Sequence, residues 1–512
     1  MKRWVCFVFF IICALLQAPA KAATETIQDR IGRMEQELKG LRKELEAQKQ
    51  EQAEVRKAVE EQAVEPKSLL EEIRERVTVG GYGSVRFESN DLENEKDTFT
   101  FRRFVLTVDA FPHDRLQAYL ELEFERFSEL ELEKELEATA GGLKVVNTVE
   151  GTSGSEIAVE QAWLRYAIAP WLNLQMGAVL VPIGRFNLFH DDNRWNLPRR
   201  TLVDRGVPVI PVKAAWPELG VGFTGEFPVG EEGLMDYRLY VVNGAQFDFE
   251  LESIAQTRDP KRDKLELEAE FQPSKGTFSK DLKSGKAFAG RLNWSPTLGH
   301  EVALSGYYGR YTPEVFASES IKSIGVDGFS TLGPFEVEYE YVYTSFGDTR
   351  KVAESFARVV REKSSAIPSS ASPDFEAEIE FEPANLADAK QGYWIELRYP
   401  FWPEALNGTF FGKAFENPKL VPTLRWEQVF FDDLLTEVDF TGGALTDFKT
   451  IDRTLNRITG GIAYRPVPLW AFQFALEYTW ANDSLVGLTN FLKPRSDEDN
   501  ALAFLFGVAF GF

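Results

Sequence analysis

From about residue 77 to the C-terminus, bulky apolar side chains recur at every second position. In "LQAYLELEFERF" (116–127), Leu116, Leu120, Leu122 and Phe124 are interleaved with Glu121, Glu123 and Glu125. "FEVEYEYVYTSF" (335–346) repeats the pattern with Glu336, Glu338 and Glu340. In "AFQFALEYTW" (471–480), Phe472, Phe474, Leu476, Tyr478 and Trp480 share one face, and Gln473, Ala475, Glu477 and Thr479 the other. The chain ends on "ALAFLFGVAFGF" (501–512), where Leu502, Phe504, Phe506, Val508, Phe510 and Phe512 oppose a face of Ala, Gly and Leu505. A repeat of two is the mark of a strand with two different sides.

Sixteen such segments are predicted, near 77–88, 98–110, 115–127, 157–168, 172–181, 219–227, 235–245, 286–294, 301–311, 321–331, 335–346, 391–400, 419–431, 455–465, 470–481 and 500–512. Most have the roughly 9–11 residues with which a tilted strand crosses a bilayer. Their connections alternate in length. "FPHDR", "APWLN", "PVGEEGLM", "SPTLGH", "TLGPF" and "RPVPLW" are short; 128–156, 182–218, 246–285, 347–390 and 432–454 are long and polar. A soluble sandwich also alternates apolar and polar residues, but short turns on one side and long loops on the other are the layout of a transmembrane barrel. The expected fold is all-β and transmembrane: a 16-stranded antiparallel β-barrel at 77–512. It would have 18 strands if an acidic hairpin such as "ELELEKELE" (129–137), "KLELEAEF" (264–271) or "DFEAEIEFE" (374–382) entered the wall. Backbone groups in hydrocarbon must all be paired, so the sheet has to close, and the greasy row of the last strand faces lipid.

The residues before the barrel follow other periods. Lys2 and Arg3, the apolar run from Trp4 to Leu16 and the small residues of "QAPAKAA" read as a signal peptide over 1–22. Over 23–66 a coiled coil is expected, on a seam of Ile27, Ile31, Met34, Leu38, Leu41, Leu45, Gln48, Gln52, Val55 and Val59 with charged residues between. A single amphipathic helix lying on the barrel is the alternative. Pro66 ends the pattern, and 67–76 is a linker.

Charge and composition narrow the chemistry. The 512 residues carry a net charge of −23. Loss of Lys2, Arg3 and Lys21 with the signal peptide makes the mature chain more acidic still. A nucleic-acid partner needs a basic face, so none is expected. The two cysteines, Cys6 and Cys13, both lie in the signal segment, which removes thiolate chemistry from the mature chain. His113, His190 and His300 are scattered, no H-E-x-x-H occurs, and "GTSGS" (151–155) misses the nucleophile-elbow spacing. No enzyme, cofactor or metal is expected.

Signal peptide, heptad, sixteen-strand pattern and terminal Phe512 together resemble the trimeric diffusion porins of Gram-negative outer membranes that carry a periplasmic coiled coil. "GAVLVPIGRFNLFHDDNRWNLPRR" (177–200) and "YVVNGAQFD" (240–248) are similar to segments of the phosphate-selective porin O and P family, with Pro182-Ile183-Gly184 where that family has Pro-Phe-Gly. The resemblance implies that the loop after the fifth strand, 182–218, folds into the lumen and narrows it. That loop is rich in bases: Arg185, Arg194, Arg199, Arg200, Arg205 and Lys213. They are the candidate constriction and solute-binding residues, because guanidinium groups hold phosphate and carboxylate bidentately. The competing reading pairs these arginines with wall carboxylates such as Glu121, Glu123 and Glu336, shaping the pore without binding solute. Lumen-wall candidates are Glu121, Glu123, Arg165, Arg238, Glu338, Arg398 and Arg425, with Glu396, Glu427 and Arg457.

The expected function is passive diffusion of small hydrophilic solutes, anions such as phosphate among them, through a homotrimer in the outer membrane. Lipid and lipopolysaccharide are the surrounding partners, and the coiled coil stands in the periplasm. The alternatives are a barrel that anchors a helix reaching for the cell wall, and a barrel that sheaths a partner protein.

Overall fold

The computed structural model describes residues 75–512 apart from 94, 127–129, 140–141, 152–155, 206, 248–263, 269–272, 277, 279–280, 282, 366–375, 381–385, 442–443, 487 and 489–497. The predicted signal peptide, coiled coil and nearly all of the linker lie outside the described residues.

Sixteen antiparallel strands close into one barrel. They are β1 (Val77–Asn90), β2 (Thr98–His113), β3 (Leu116–Glu125), β4 (Glu156–Ala169), β5 (Leu172–Leu180), β6 (Pro217–Val229), β7 (Gly233–Val242), β8 (Ala287–Thr297), β9 (His300–Arg310), β10 (Ser320–Leu332), β11 (Phe335–Ser345), β12 (Ala389–Arg398), β13 (Lys419–Thr441), β14 (Ala444–Arg465), β15 (Ala471–Ala481) and β16 (Asn500–Gly511). Each strand pairs with its sequence neighbour, and β1 closes on β16 with Tyr82 opposite Gly511 and Asn90 opposite Ala503. All sixteen predicted strands are present. The expected loop 432–454 is instead mostly strand: β13 and β14 run on as one long hairpin, with Thr441 opposite Ala444.

The acidic hairpins stay out of the wall, so the count is sixteen. Leu130–Thr139 pairs with Gly142–Gly151 as a separate two-stranded sheet. Lys264–Glu268 pairs in parallel with Glu376–Glu380 as another. Among the described residues no helix is long and apolar enough to cross a membrane.

The two faces of each strand meet different surroundings. Phe99, Leu164, Phe223, Leu239, Phe288, Leu304, Ile324, Ile395, Leu424 and Phe474 point outward and are exposed, a band suited to lipid. On β16, Ala501, Ala503, Leu505, Gly507 and Ala509 face inward and are buried, while Phe504, Phe506, Val508 and Phe510 lie on the outer row. The small inner residues make room for chain inside the barrel. A Cβ on Gly461 would stand 2.7 Å from Leu197, one on Gly507 3.1 Å from Pro198, and one on Gly511 2.4 Å from Asn193.

The half of the lumen toward the long loops is packed. Val203, Val207, Val209, Ile210, Trp216, Phe346, Leu386, Leu435 and Leu485 are buried in one apolar cluster. Helix α1 (Thr349–Ser365) adds Val352, Ala353 and Phe356 to it. Asp348 caps that helix, its Oδ1 accepting from the Lys351 amide at 3.1 Å.

Candidate functional site

The segment from 181 to 216 contains little regular structure beyond one helical turn, Arg185–Leu188, yet most of it is buried inside the barrel. A buried irregular backbone must find partners for its polar groups. Here the wall side chains supply them. Arg425 Nη2 donates to the Arg199 carbonyl at 2.7 Å, and Arg457 Nη2 to the Arg200 carbonyl at 2.5 Å. Glu427 accepts from the Leu202 amide at 3.0 Å, and Glu340 from the Phe186 amide at 3.1 Å. Lys390 donates to the Pro208 carbonyl at 3.2 Å. Arg465 reaches the carbonyls of Asn193, Arg194 and Trp195 at 2.8–3.0 Å. The loop is thus held by charged groups on β11–β14.

Those charges form a continuous chain of alternating sign. Arg185, on the loop, pairs with Glu338 and with Glu301 at 2.6 Å. Glu338 also pairs with Arg398, which pairs with Glu396. Glu396 lies 3.5 Å from Arg425, and Arg425 lies 3.3 Å from Glu427. Glu427 pairs with Arg457, which lies 3.6 Å from Glu477. Glu477 pairs with Arg199 of the loop at 3.0 Å, and Arg199 lies 3.4 Å from Glu88. Every wall candidate from Glu338 to Arg457 therefore faces the lumen. Glu396, Arg425 and Glu427 are 0% exposed, sealed under the loop.

A second group sits against β2–β4. Arg103 is shared by Glu123 at 2.7 Å, Glu125 at 3.8 Å, Glu160 at 3.8 Å and the loop's Asp192 at 3.6 Å. Arg200 lies 3.8 Å from both Asp192 and Asp204, and Arg205 lies 3.7 Å from Asp204. His190 is buried with Nε2 3.2 Å from Glu160. Burial opposes a charge on this imidazole, but Glu160, with Asp191 and Glu121 behind it, raises its pKa to about 9. Glu121 faces the same group, taking the Gln161 amide at 2.6 Å.

The loop bases therefore divide. Arg185, Arg199 and Arg200 are buried and committed to carboxylates, and Arg205 is nearly as enclosed. Arg194 is exposed and pairs with Asp191 at 2.9 Å, and Lys213 is exposed. The carboxylates that hold the buried ones are Glu88, Asp192, Asp204, Glu301, Asp327, Glu338 and Glu477; Glu121, Glu123 and Glu336 are not among them.

Two chambers remain beside the loop at the short-turn rim. One, of about 580 Å³, is bordered by Arg185, Asp191, Arg194, Glu301, Arg398 and Arg465. The other, of about 680 Å³, is bordered by Arg165, Gln175, Arg194, Asp236, Arg238 and Tyr240. The side chains of Arg165 and Arg238 make no ion pair or hydrogen bond among the described residues, and both border the second chamber.

Arg103, Glu160, Arg465, Glu88 and Asp327 were not singled out from sequence. Glu88, Asp327 and Arg465 stand at inward positions by simple alternation, so the period-two reading carried their signal; Arg103 and Glu160 lie at β-bulges that shift the alternation and hid them. That reading could not say which of the many inward charges on such an acidic chain would meet the loop.

Fold and site define a transmembrane β-barrel with an internal loop. No protein-family model matches the chain. An uncharacterized protein of Aquifex aeolicus is 25% identical over 177 residues, 35% of this chain and 34% of that relative's length. Among solved structures, an anion-selective porin from Comamonas acidovorans is 10% identical with a TM-score of 0.46, covering 85% of this chain and 99% of its own. Salmonella typhi OmpF, in complex with daunomycin, is 8% identical with a TM-score of 0.44, over 85% and 97%. The outer membrane channel DcaP of Acinetobacter baumannii is 10% identical with a TM-score of 0.41, over 85% and 97%.

Proposed function

We propose that this chain is an outer-membrane porin for small hydrophilic solutes, with a preference for anions. One observation carries the reading: a closed barrel holds its own loop in the lumen and leaves chambers bordered by Arg165, Arg194 and Arg238. Guanidinium groups on one wall focus the field and attract anions into a low-dielectric passage. The similarity of 177–200 and 240–248 to the phosphate-selective porin family makes inorganic phosphate the first solute to try. In this reading both barrel ends lie on the periplasmic side, the heptad assembles three copies there, and the long loops face lipopolysaccharide. The ion chain along β11–β15 sets the loop's position, and the bases on the β4–β7 side do the selecting.

The packed half of the lumen toward the long loops favours a second reading, in which the barrel anchors the N-terminal helix and conducts little. Conductance in planar bilayers separates the two. Open steps of uniform size support the porin, and silence supports the anchor. The reversal potential in a salt gradient then tests selectivity. Arg165→Gln with Arg238→Gln lowers the anion-to-cation permeability ratio, and an unmoved potential removes these two residues as the filter.

A further inference from the structure

We propose that Glu121, Glu160, His190 and Asp191 form a binding site for a divalent transition-metal ion, Zn²⁺ in the simplest case, that ties the lumen loop to the β3–β4 wall. One ligand atom from each of Glu121, His190 and Asp191 lies within 4.8 Å of the other two. Glu160 Oε2 lies 3.2 Å from His190 Nε2. The ring is already oriented for a metal. His190 Nδ1 stands 2.8 Å from the Asn187 carbonyl, so its N–H donates there, and Nε2, whose proton a metal ion would displace, faces the carboxylates. Metal-binding histidines are held in this way by an outer partner. The Gln161 amide fixes Glu121 in the same sense.

Charge points the same way. Glu121, Glu123, Glu160 and Asp191 crowd one buried region, and Arg103 is divided among four acids. Glu160 is 1% exposed, and its Oε1 accepts no hydrogen bond among the described residues. One imidazole with several carboxylates is a borderline-to-hard donor set, which suits Zn²⁺ or Mn²⁺ better than a soft ion. Bonds of about 2.0–2.2 Å need the ligands to close in by about 1 Å, within reach of side-chain rotation. Asp191 keeps a second oxygen when Arg194 holds Oδ2. An ion has a route in, because Asp191 borders one chamber and Tyr119 and Gln161, beside Glu121, border the other.

This site stands whether or not the barrel conducts, so binding is measured on the folded full chain in detergent, stripped with chelator and titrated with ZnCl₂. The expected result is one saturable site. His190→Gln and Glu121→Gln weaken it by about 10-fold or more, and His113→Gln leaves it intact. On the wild-type protein, Cu²⁺ as probe shows hyperfine splitting from one imidazole nitrogen, which decides the matter if a variant does not fold. No saturable Zn²⁺ binding, equal binding by His190→Gln, or a Cu²⁺ spectrum without nitrogen splitting overturns the proposal and leaves His190 as an imidazolium paired with carboxylates.

Discussion

Arg425→Met cuts the ion chain at its centre. Arg425 is 0% exposed and touches three partners: Glu396 at 3.5 Å, Glu427 at 3.3 Å and the Arg199 carbonyl at 2.7 Å. Methionine fills part of the volume but leaves two buried carboxylates short of a cation. Removing one member of a buried pair costs roughly 3–5 kcal/mol, mostly from the charge left behind. Here the lower end applies, because Glu396 keeps Arg398 and Glu427 keeps both Arg457 and the Leu202 amide. A loss of about 3 kcal/mol corresponds to about 150-fold in the folded-to-unfolded ratio. Arg425→Lys recovers part of it, since one ammonium cannot span three acceptors as a guanidinium does. The exposed Arg194–Asp191 pair is the internal standard, worth about 0–1 kcal/mol. The assay is urea unfolding of the barrel in phospholipid vesicles, followed by tryptophan fluorescence. A midpoint for Arg425→Met no lower than that of Arg194→Met would refute the argument that buried charges hold the loop.

Leu424, the residue before Arg425, faces lipid instead of lumen and is 50% exposed. Leu424→Arg puts a charge in the hydrocarbon band and destabilises the barrel by about 2–4 kcal/mol in the same vesicle assay; a neutral result would place that row in water. Between the outer ends of β8–β10, the Glu314 carboxylate accepts from the Ser284 hydroxyl and amide, with Arg310 3.0 Å away, and these contacts lower its pKa to about 2. A depressed carboxyl pKa gives stability that is present above the ordinary value and lost as pH falls through the depressed one. The loop contact therefore persists to about pH 2; a Glu314 carboxyl resonance titrating near its ordinary value would contradict it.

The positions of the sixteen wall strands and their up-and-down order were legible in the amino-acid order because period two and turn length are local properties, whereas the exclusion of the acidic hairpins, which left 18 strands open, was not. "FALEYTW" states which side is greasy wherever it is placed, and "APWLN" states that the next strand returns at once. The inward-folding loop could be expected from its likeness to known porin segments, although its arginines said nothing of their partners. The hairpin of β13 and β14 escaped notice because 432–454, with its acids and Gly442-Gly443, reads as a polar loop; cross-strand pairing and the burial of Leu434, Leu435 and Val438 in the apolar cluster keep it extended.

What only the tertiary structure decided is which charge meets which. Arg199 and Glu477 are 278 residues apart in sequence and 3.0 Å apart in space. Arg185 meets Glu338, and His190 meets Glu160, because closure of β1 on β16 fixes the register of every inward row against one buried loop. A strand's sequence fixes only which of its own residues point inward. Once the cylinder closes and water is excluded, the buried loop charges take partners from distant strands, and that pairing depends on the closed register of the whole barrel.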